Sequence, residues 1–492
     1  TTTIHLVMDV RFSIPGVVTR RFISEAKGRG LFAEKQFEKD EVIFTEPPLF
    51  AVQHVYNRPI AWTCGNCFRF LGSLNRQINH YRRLFNLKDK TELVPLPDNT
   101  TATPHEFQTA VLSCFAKCGE KYCSEACRQT AFQNHHQILC VGEHTPETSA
   151  LYQFKKHAIE TNELFFLGAQ VIAYLISTVV HAKEAAPGEP RIIDIICQEL
   201  FRQYAHRVWW EVRVDGNFTE QEAKQWATES LALLQKALVP VLTSHPKTND
   251  QQFISTLLSM EFYSHVLGML EMNDNSIRFK SPLEMFRREL DDMSAPEQYK
   301  KHSNNVLKGV VGAFRQYHME QEEDCDETDC NHHDHNHMND DHKHDHHDHS
   351  NCHSHSHGNE HAHGHSQGKS EEEEEEEEEE MEVDGNDDDE EEEEEEVFPE
   401  FDGFGLFGLQ AMVNHSCEPN CLVAFEGTNQ AYIKALRRIE PGEELFHTYI
   451  DENTPFEERE QELVTYGFKC DCAKCHRERP KTTSSTSTST NS

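Results

Sequence analysis

The residues of this chain whose types and spacing most directly imply chemistry are cysteines and a histidine in close pairs. Between residues 64 and 140 stand Cys64-x2-Cys67, Cys114-x3-Cys118, Cys123-x3-Cys127 and His136-x3-Cys140. Zn2+ takes four sulfur or nitrogen ligands in a tetrahedron, and a close pair supplies two of them at little cost in loop closure. Four pairs therefore make two complete sites. His135 competes with His136 in the last pair, and the x3 spacing favours His136. Any one of these cysteines alone would read as a buried core thiol, but eight ligands in four pairs do not. Far downstream, Cys470-x-Cys472-x2-Cys475 offers three ligands, one short of a closed site. Cys417, within NHSCEPNC (414–421), is the expected fourth donor, and such a link would pin the C-terminal segment across the Asn414–His415 corner.

Two other stretches bear on chemistry. KGRGLFA (27–33) brackets an arginine with Gly28 and Gly30, which lets backbone approach a ligand and present N–H donors; by itself it reads equally as a β-turn. GEELFHTYID (442–451) places Tyr449 at the end of a short strand, where the plain reading is a core tyrosine with a satisfied hydroxyl. No carboxylate pair, Ser-His-Asp arrangement or phosphate loop stands out. Glu443 and Glu444 read as solvated or structural carboxylates.

At 492 residues the chain can build two or three compact units. Residues 17–60 and 397–451 alternate apolar and polar positions with Gly and Pro at turns, as strands do. Residues 150–320 repeat apolar positions at three- and four-residue spacing, as in EQEAKQWATESLALLQKALVPVL, and read as amphipathic helices. Residues 321–396 are low complexity: fifteen histidines lie between His332 and His365, followed by twenty-two acidic residues in twenty-six. Such a segment buries no apolar core and reads as disordered. It also holds 34 Asp/Glu against two lysines, so most of the formal charge of −39 belongs to it and the rest of the chain carries only about −7. The opening TTTIHLVMDVRF lacks a basic stretch followed by a long apolar core, so no secretory signal is expected there. No run approaches 18 consecutive apolar residues, and a membrane span is not expected. Sixteen cysteines in mostly close pairs favour reduced thiolates on metal over disulfides.

In this order, KGRG, NHSC, the late tyrosine and the Cys-rich end resemble a SET domain with its post-SET zinc segment. The block 64–140, with Tyr122 before its third pair and an H-x3-C ending, resembles a MYND zinc finger. Together they resemble the SET-and-MYND family of protein lysine methyltransferases, over residues 20–480 apart from the acidic insert. The resemblance implies an α+β fold: a discontinuous β-rich SET domain (17–60 and 397–451), an inserted MYND finger (61–142), a helical insert (150–320) and a post-SET zinc segment (452–480). The acidic insert (321–396) and a floppy tail (481–492) complete the chain. It implies interleaved finger sites, Cys64, Cys67, Cys123 and Cys127 on one ion and Cys114, Cys118, His136 and Cys140 on the other. A third ion would sit on Cys417, Cys470, Cys472 and Cys475. Lys27, Gly28, Arg29 and Gly30 would line the S-adenosylmethionine pocket, with Asn414 and His415 holding the cofactor from the other side and Phe468 near the adenine. Tyr449 would stand at the point of methyl transfer. Two features depart from the usual pattern: the x3 spacing of Cys114 and Cys118, and the position of the Glu run ahead of NHSC. MYND fingers bind protein segments, and the family implies a location in nucleus and cytoplasm.

The chemistry suits these residues. A lysine must be neutral to attack a sulfonium methyl, and with an ordinary pKa of ~10.4 deprotonation at pH 7 costs about 4.6 kcal/mol. A narrow apolar channel lowers that cost, and a tyrosine hydroxyl orients the amine without competing as a base. The Glu run repels nucleic acid, so none is expected as a direct partner; it attracts basic proteins, with histone tails and ribosomal proteins as candidate substrates. Two rival readings remain at this stage: a non-catalytic adaptor acting through the finger, and a metal buffer acting through the His-rich tract.

Overall fold

A computed structural model of the chain describes residues 13–24, 27–94, 109–185, 201–212, 219–327 and 397–479. The insert beyond residue 327 and the tail 481–492 lie outside the described residues, so the expectations for them are not addressed by the fold. The strands are β1 (Ser13–Ile14), β2 (Val18–Ser24), β3 (Gly28–Ala33), β4 (Val42–Glu46), β5 (Phe50–Gln53), β6 (Leu112–Ser113) and β7 (Lys121–Tyr122). They continue with β8 (Asp274–Phe279), β9 (Phe401–Leu406), β10 (Asn414–His415), β11 (Cys421–Phe425), β12 (Ala431–Ala435) and β13 (Phe446–His447).

Pairing joins the two β-rich blocks into one discontinuous domain. β4 lies beside β12, with Phe44 opposite Ile433, and β12 also pairs with β11. β5 lies beside β9, with Phe50 opposite Leu406. The hairpin β2–β3 is tied to the late chain through Ala33 N–H to Glu443 O at 2.9 Å and Leu445 N–H to Leu31 O at 2.7 Å. Alternating side chains explain the choice of partners: Phe44, Phe50, Val52, Ile433 and Leu406 all turn inward and are buried in one core.

That core is closed by helices. Leu164–Ala185, LFFLGAQVIAYLISTVVHAKEA, packs against β5 and helix Met260–Asn273. It is long and apolar enough to cross a membrane, with a mean hydropathy of 1.8, but 72% of the stretch is buried within the fold and it serves as the central core helix. Glu220–Ser244 buries Ala223, Ala227, Leu231, Leu234, Leu238 and Leu242, the face its spacing predicts. It opens on a capping box in which Thr219 and Glu222 satisfy each other's main-chain N–H. The region read as helical also supplies a strand, since β8 pairs along its whole length with β9. Its last helix, Glu297–Glu327, runs seven residues into the segment assigned to the insert.

A second, smaller core forms where helix Leu74–Leu84, from within the zinc block, meets Pro282–Glu289 and Glu297–Glu327. The zinc block is therefore not free-standing. At this core the chain returning from the insert is fastened by the buried Glu284, which accepts from Val397 N–H at 3.2 Å, Phe398 N–H at 2.9 Å, Arg287 at 2.6 Å and Arg288 at 2.8 Å. Burial pushes its carboxyl up, but the hydrogen bonds from Arg287, Phe398 and Arg288 outweigh burial and hold the pKa below the ordinary value. Glu284→Ala leaves two buried N–H groups without their acceptor and takes one carboxylate from Arg287 and Arg288, and is expected to cost about 3 kcal/mol, read as a lower denaturation midpoint. With its folded pKa depressed, the Glu284 contribution is complete above the ordinary carboxylate range and is lost as pH falls through the lower folded value. The stability difference between wild type and Glu284→Ala should accordingly shrink at acid pH.

Candidate active site and metal centres

The NHSCEPNC segment is a bolt between distant parts of the chain. Asn414 and His415 form β10, which runs parallel to β13, with Asn414 opposite Phe446 and His415 opposite His447. The Asn414 amide donates to Arg29 O at 3.0 Å and to Glu444 Oε1 at 2.8 Å, so NHSC and KGRG, nearly four hundred residues apart, touch directly. Gly30 permits this approach: a Cβ there would lie 2.5 Å from Glu444 Oε1 and 3.0 Å from Asn414 Nδ2. Asn420 makes the second link, accepting from Phe446 N–H at 2.7 Å and donating to Glu444 O at 2.8 Å. Glu443 accepts from Arg437, Asn420 and the Glu440 N–H, so Glu443 and Glu444 are structural carboxylates, as their context in the sequence indicates.

Tyr449 follows β13 into the same place. Its hydroxyl donates to Val413 O at 2.9 Å, its N–H donates to His415 Nδ1 at 3.0 Å, and its ring lies 5.4 Å from that of His415. Burial above all, then Tyr466 and Glu444, raises the Tyr449 pKa well above the ordinary value, so the hydroxyl stays protonated. His415 Nε2 lies 3.3 Å from Cys417 Sγ. Both ring nitrogens of His415 are thus used within the protein. Phe468 stands 5.9 Å from the His415 ring and edge-on to Tyr449 at 6.3 Å.

Lys27, Gly28, Arg29, Asn414, His415, Tyr449 and Phe468 all line one cleft of about 3320 Å³, with Gly30 just behind its wall. The Arg29 guanidinium donates to Arg202 O at 2.5 Å and Gln203 O at 3.1 Å, clamping the segment 201–207 over the KGRG strand. Tyr204 secures that segment through a hydrogen bond to Phe407 O at 3.0 Å. The segment was not legible as part of the site. Neither was Tyr466, whose hydroxyl donates to Tyr449 O at 3.2 Å and whose ring lies 5.3 Å from Tyr449; its place two residues before Phe468, in YGFKCDC, was the available signal.

Three tetrads of cysteine and histidine converge, each with its ligand atoms within 4.8 Å of one another: Cys64, Cys67, Cys123 and Cys127; Cys114, Cys118, His136 and Cys140; and Cys417, Cys470, Cys472 and Cys475. A tetrahedron of Zn–S bonds has edges of about 3.8 Å. Cys67–Cys123 and Cys123–Cys127 stand at 3.5 Å, Cys114–Cys140 at 3.6 Å, and Cys417 lies 3.5 Å from Cys475 and 3.9 Å from Cys470, so the donor sets fit zinc. His136, not His135, joins the second tetrad: its Nε2 lies 3.0 Å from Cys114 Sγ, delivered by a π-helical turn over Phe132–His136. The extra residue between Cys114 and Cys118 is taken up by Lys117, which adopts a left-handed φ of 52°. Cys421, the last residue of NHSCEPNC, stands outside the three tetrads; buried, its thiol donates to Phe446 O at 3.3 Å. No disulfide occurs among the described cysteines.

Comparison with known proteins agrees with this geometry. The sequence profile described as the SET domain matches residues 28–450. The chain belongs to the SET domain family. Relatives include the histone-lysine N-methyltransferase ATXR2 of Arabidopsis thaliana, 26% identical over 91% of this chain and 88% of that protein. The protein-lysine N-trimethyltransferase SMYD5 of Gallus gallus is 23% identical over 92% of this chain and 85% of its own. The N-lysine methyltransferase SMYD2 of Gallus gallus is 46% identical over a 74-residue stretch, 15% of this chain and 17% of its own. As a SET domain protein with a MYND-type cysteine block, the chain is an S-adenosylmethionine-dependent protein-lysine methyltransferase of α+β fold.

Proposed function

We propose that this SET domain protein methylates lysines in basic protein segments, histone tails or ribosomal proteins, with Tyr449 at the point of transfer and one Zn2+ on each of the three tetrads. The observation that carries this reading is the contact of Asn414 with Arg29 O beside Tyr449: two sequence-distant motifs meet in one cleft, with the third tetrad fastening the same corner.

S-adenosylmethionine supplies the electrophilic methyl group. On the protein side, Gly28, Gly30 and the main chain of His415 allow close approach of backbone to the cofactor, while Asn414 Oδ1 is the side-chain group left to accept from it once both amide protons are engaged. Phe468 offers an apolar ring beside this corner. Tyr449 holds the incoming amine through the lone pairs of its hydroxyl, since its proton is committed to Val413 O. Orientation of this kind supplies much of the catalysis in an in-line displacement. We place the chain in nucleus and cytoplasm, with the finger binding segments of partner proteins.

The test is labelling of acid-extracted basic proteins with tritiated S-adenosylmethionine. Label recovered on lysine after hydrolysis is the expected result. Folded, zinc-loaded protein that labels no lysine would instead favour a non-catalytic adaptor working through the finger.

A further inference from the structure

We infer that His447 sets how many methyl groups this enzyme leaves on a lysine, by serving as a second hydrogen-bond acceptor for the substrate amine beside Tyr449. The inference rests on the methyltransferase reading and deepens it.

His447 ends β13, two residues before Tyr449, and both line the same cleft with ring centroids 4.9 Å apart. It sits opposite His415 in the parallel pair, yet the two imidazoles are employed differently. His415 spends both ring nitrogens, on Tyr449 N–H and Cys417 Sγ. A neutral imidazole carries one N–H and one nitrogen lone pair, so an uncharged His447 keeps one acceptor. The titratable groups set against it are His415 on β10 and Tyr449 on its own segment. Burial first, and His415 next, push the His447 pKa down to about 4, so at neutral pH the ring is uncharged and remains an acceptor. Packing alone would be served as well by an aliphatic side chain at this place in a half-buried strand. A polar ring facing the cleft has a use if something there donates to it.

A neutral lysine amine has two N–H bonds. Tyr449 Oη accepts one and His447 the other, which turns the nitrogen lone pair toward the methyl group. In each transfer the N–C bond forms as the S–C bond breaks, the sulfonium leaves as a thioether, and the product ammonium must lose a proton to solvent before another round. A monomethyl amine then has one N–H for two acceptors, and a dimethyl amine has none. Each added methyl group therefore leaves one more buried acceptor without a donor, and each such loss slows the next transfer by about threefold to tenfold. The enzyme should release mainly monomethyl-lysine, short of the degree in the name of the SMYD5 relative.

The experiment incubates full-length wild type and His447→Leu with acid-extracted basic proteins and S-adenosylmethionine carrying a CD3 group, and counts CD3 groups on each labelled lysine by mass spectrometry. Wild type should add one. His447→Leu should raise the share of lysines with two or three by about tenfold, while cofactor affinity, read by calorimetry, stays unchanged. His447→Gln, which retains an acceptor, should restore the wild-type distribution; a merely structural role would not separate Leu from Gln. The inference is overturned if wild type adds three CD3 groups to its lysines, or if His447→Leu leaves the distribution as it was. Wild type that labels no lysine would overturn the methyltransferase reading itself, a result distinct from either.

Discussion

Tyr449→Phe should lower kcat by about a hundredfold or more, the size of effect expected when a positioned group at the reacting centre is removed. The phenol is tied on two sides. Its oxygen donates to Val413 O, and its main-chain N–H is held by His415, whose other nitrogen meets Cys417. Phenylalanine fills nearly the same volume against Tyr466 and Phe468, so packing survives. What disappears is the acceptor for the amine, together with the partner of the Val413 carbonyl, a loss worth about 1 kcal/mol of stability. The expected signature is therefore a large fall in kcat with cofactor affinity within a few-fold of wild type and a small drop in Tm. The measurement is steady-state transfer of labelled methyl, alongside calorimetric titration of S-adenosylmethionine. Activity within threefold of wild type would remove Tyr449 from the transfer point.

Cys417→Ser should be as damaging by a different route. Cys417 belongs at once to the NHSC corner and to the third tetrad, where it lies 3.5 Å from Cys475. That tetrad carries the segment bearing Tyr466 and Phe468, and the small core around it contains little besides its own cysteines: Ile450, Phe456 and Leu463 are its buried apolar members. With so small an apolar core, a metal on this tetrad would carry much of the segment's order, and ligand loss would convert its binding energy directly into disorder. The buried Arg459 loses its setting at the same time, since it pairs with Glu478 in the same segment. Zinc content should fall by one ion per chain, the segment after residue 465 should become protease-sensitive, and cofactor affinity should drop about 100-fold or more. The two finger tetrads should stay loaded. A variant that keeps its full zinc content and cofactor affinity would disconnect the third tetrad from the cleft.

Much of this site was legible because ligand spacing is local. A Cys-x2-Cys or His-x3-Cys pair presents two donors to one point whatever the rest of the fold does, so the finger ligands follow from their pairs and Cys417 follows from a tetrad one short. Gly28 and Gly30 read as a place where backbone approaches a ligand or as a plain turn; that Glu444 and Asn414 would stand against Gly30 was not legible. Tyr466 was missed because nothing in its own neighbourhood distinguishes it from a core tyrosine; its hydroxyl meets Tyr449 O only after the third tetrad folds the segment back. The 201–207 segment was missed for the same kind of reason. Its main-chain carbonyls hold Arg29, and carbonyls carry no mark in a sequence.

Composition and spacing by themselves determined the metal-binding pairs, the alternating strands, the amphipathic helices and the segregation of charge into the insert, because each of these depends on residues within one or two turns of each other. Tertiary structure alone decided which carbonyls and rings the site residues spend themselves on. Arg29 serves as a clamp, His415 as a strut between Tyr449 and Cys417, and Glu284 as the fastening of the returning chain. His447, opposite His415, lines the cleft. Those assignments rest largely on hydrogen bonds between segments tens to hundreds of residues apart; at the NHSC corner, the pairing of β10 with β13 and the link from β3 to Glu443 and Leu445 bring the partners within reach.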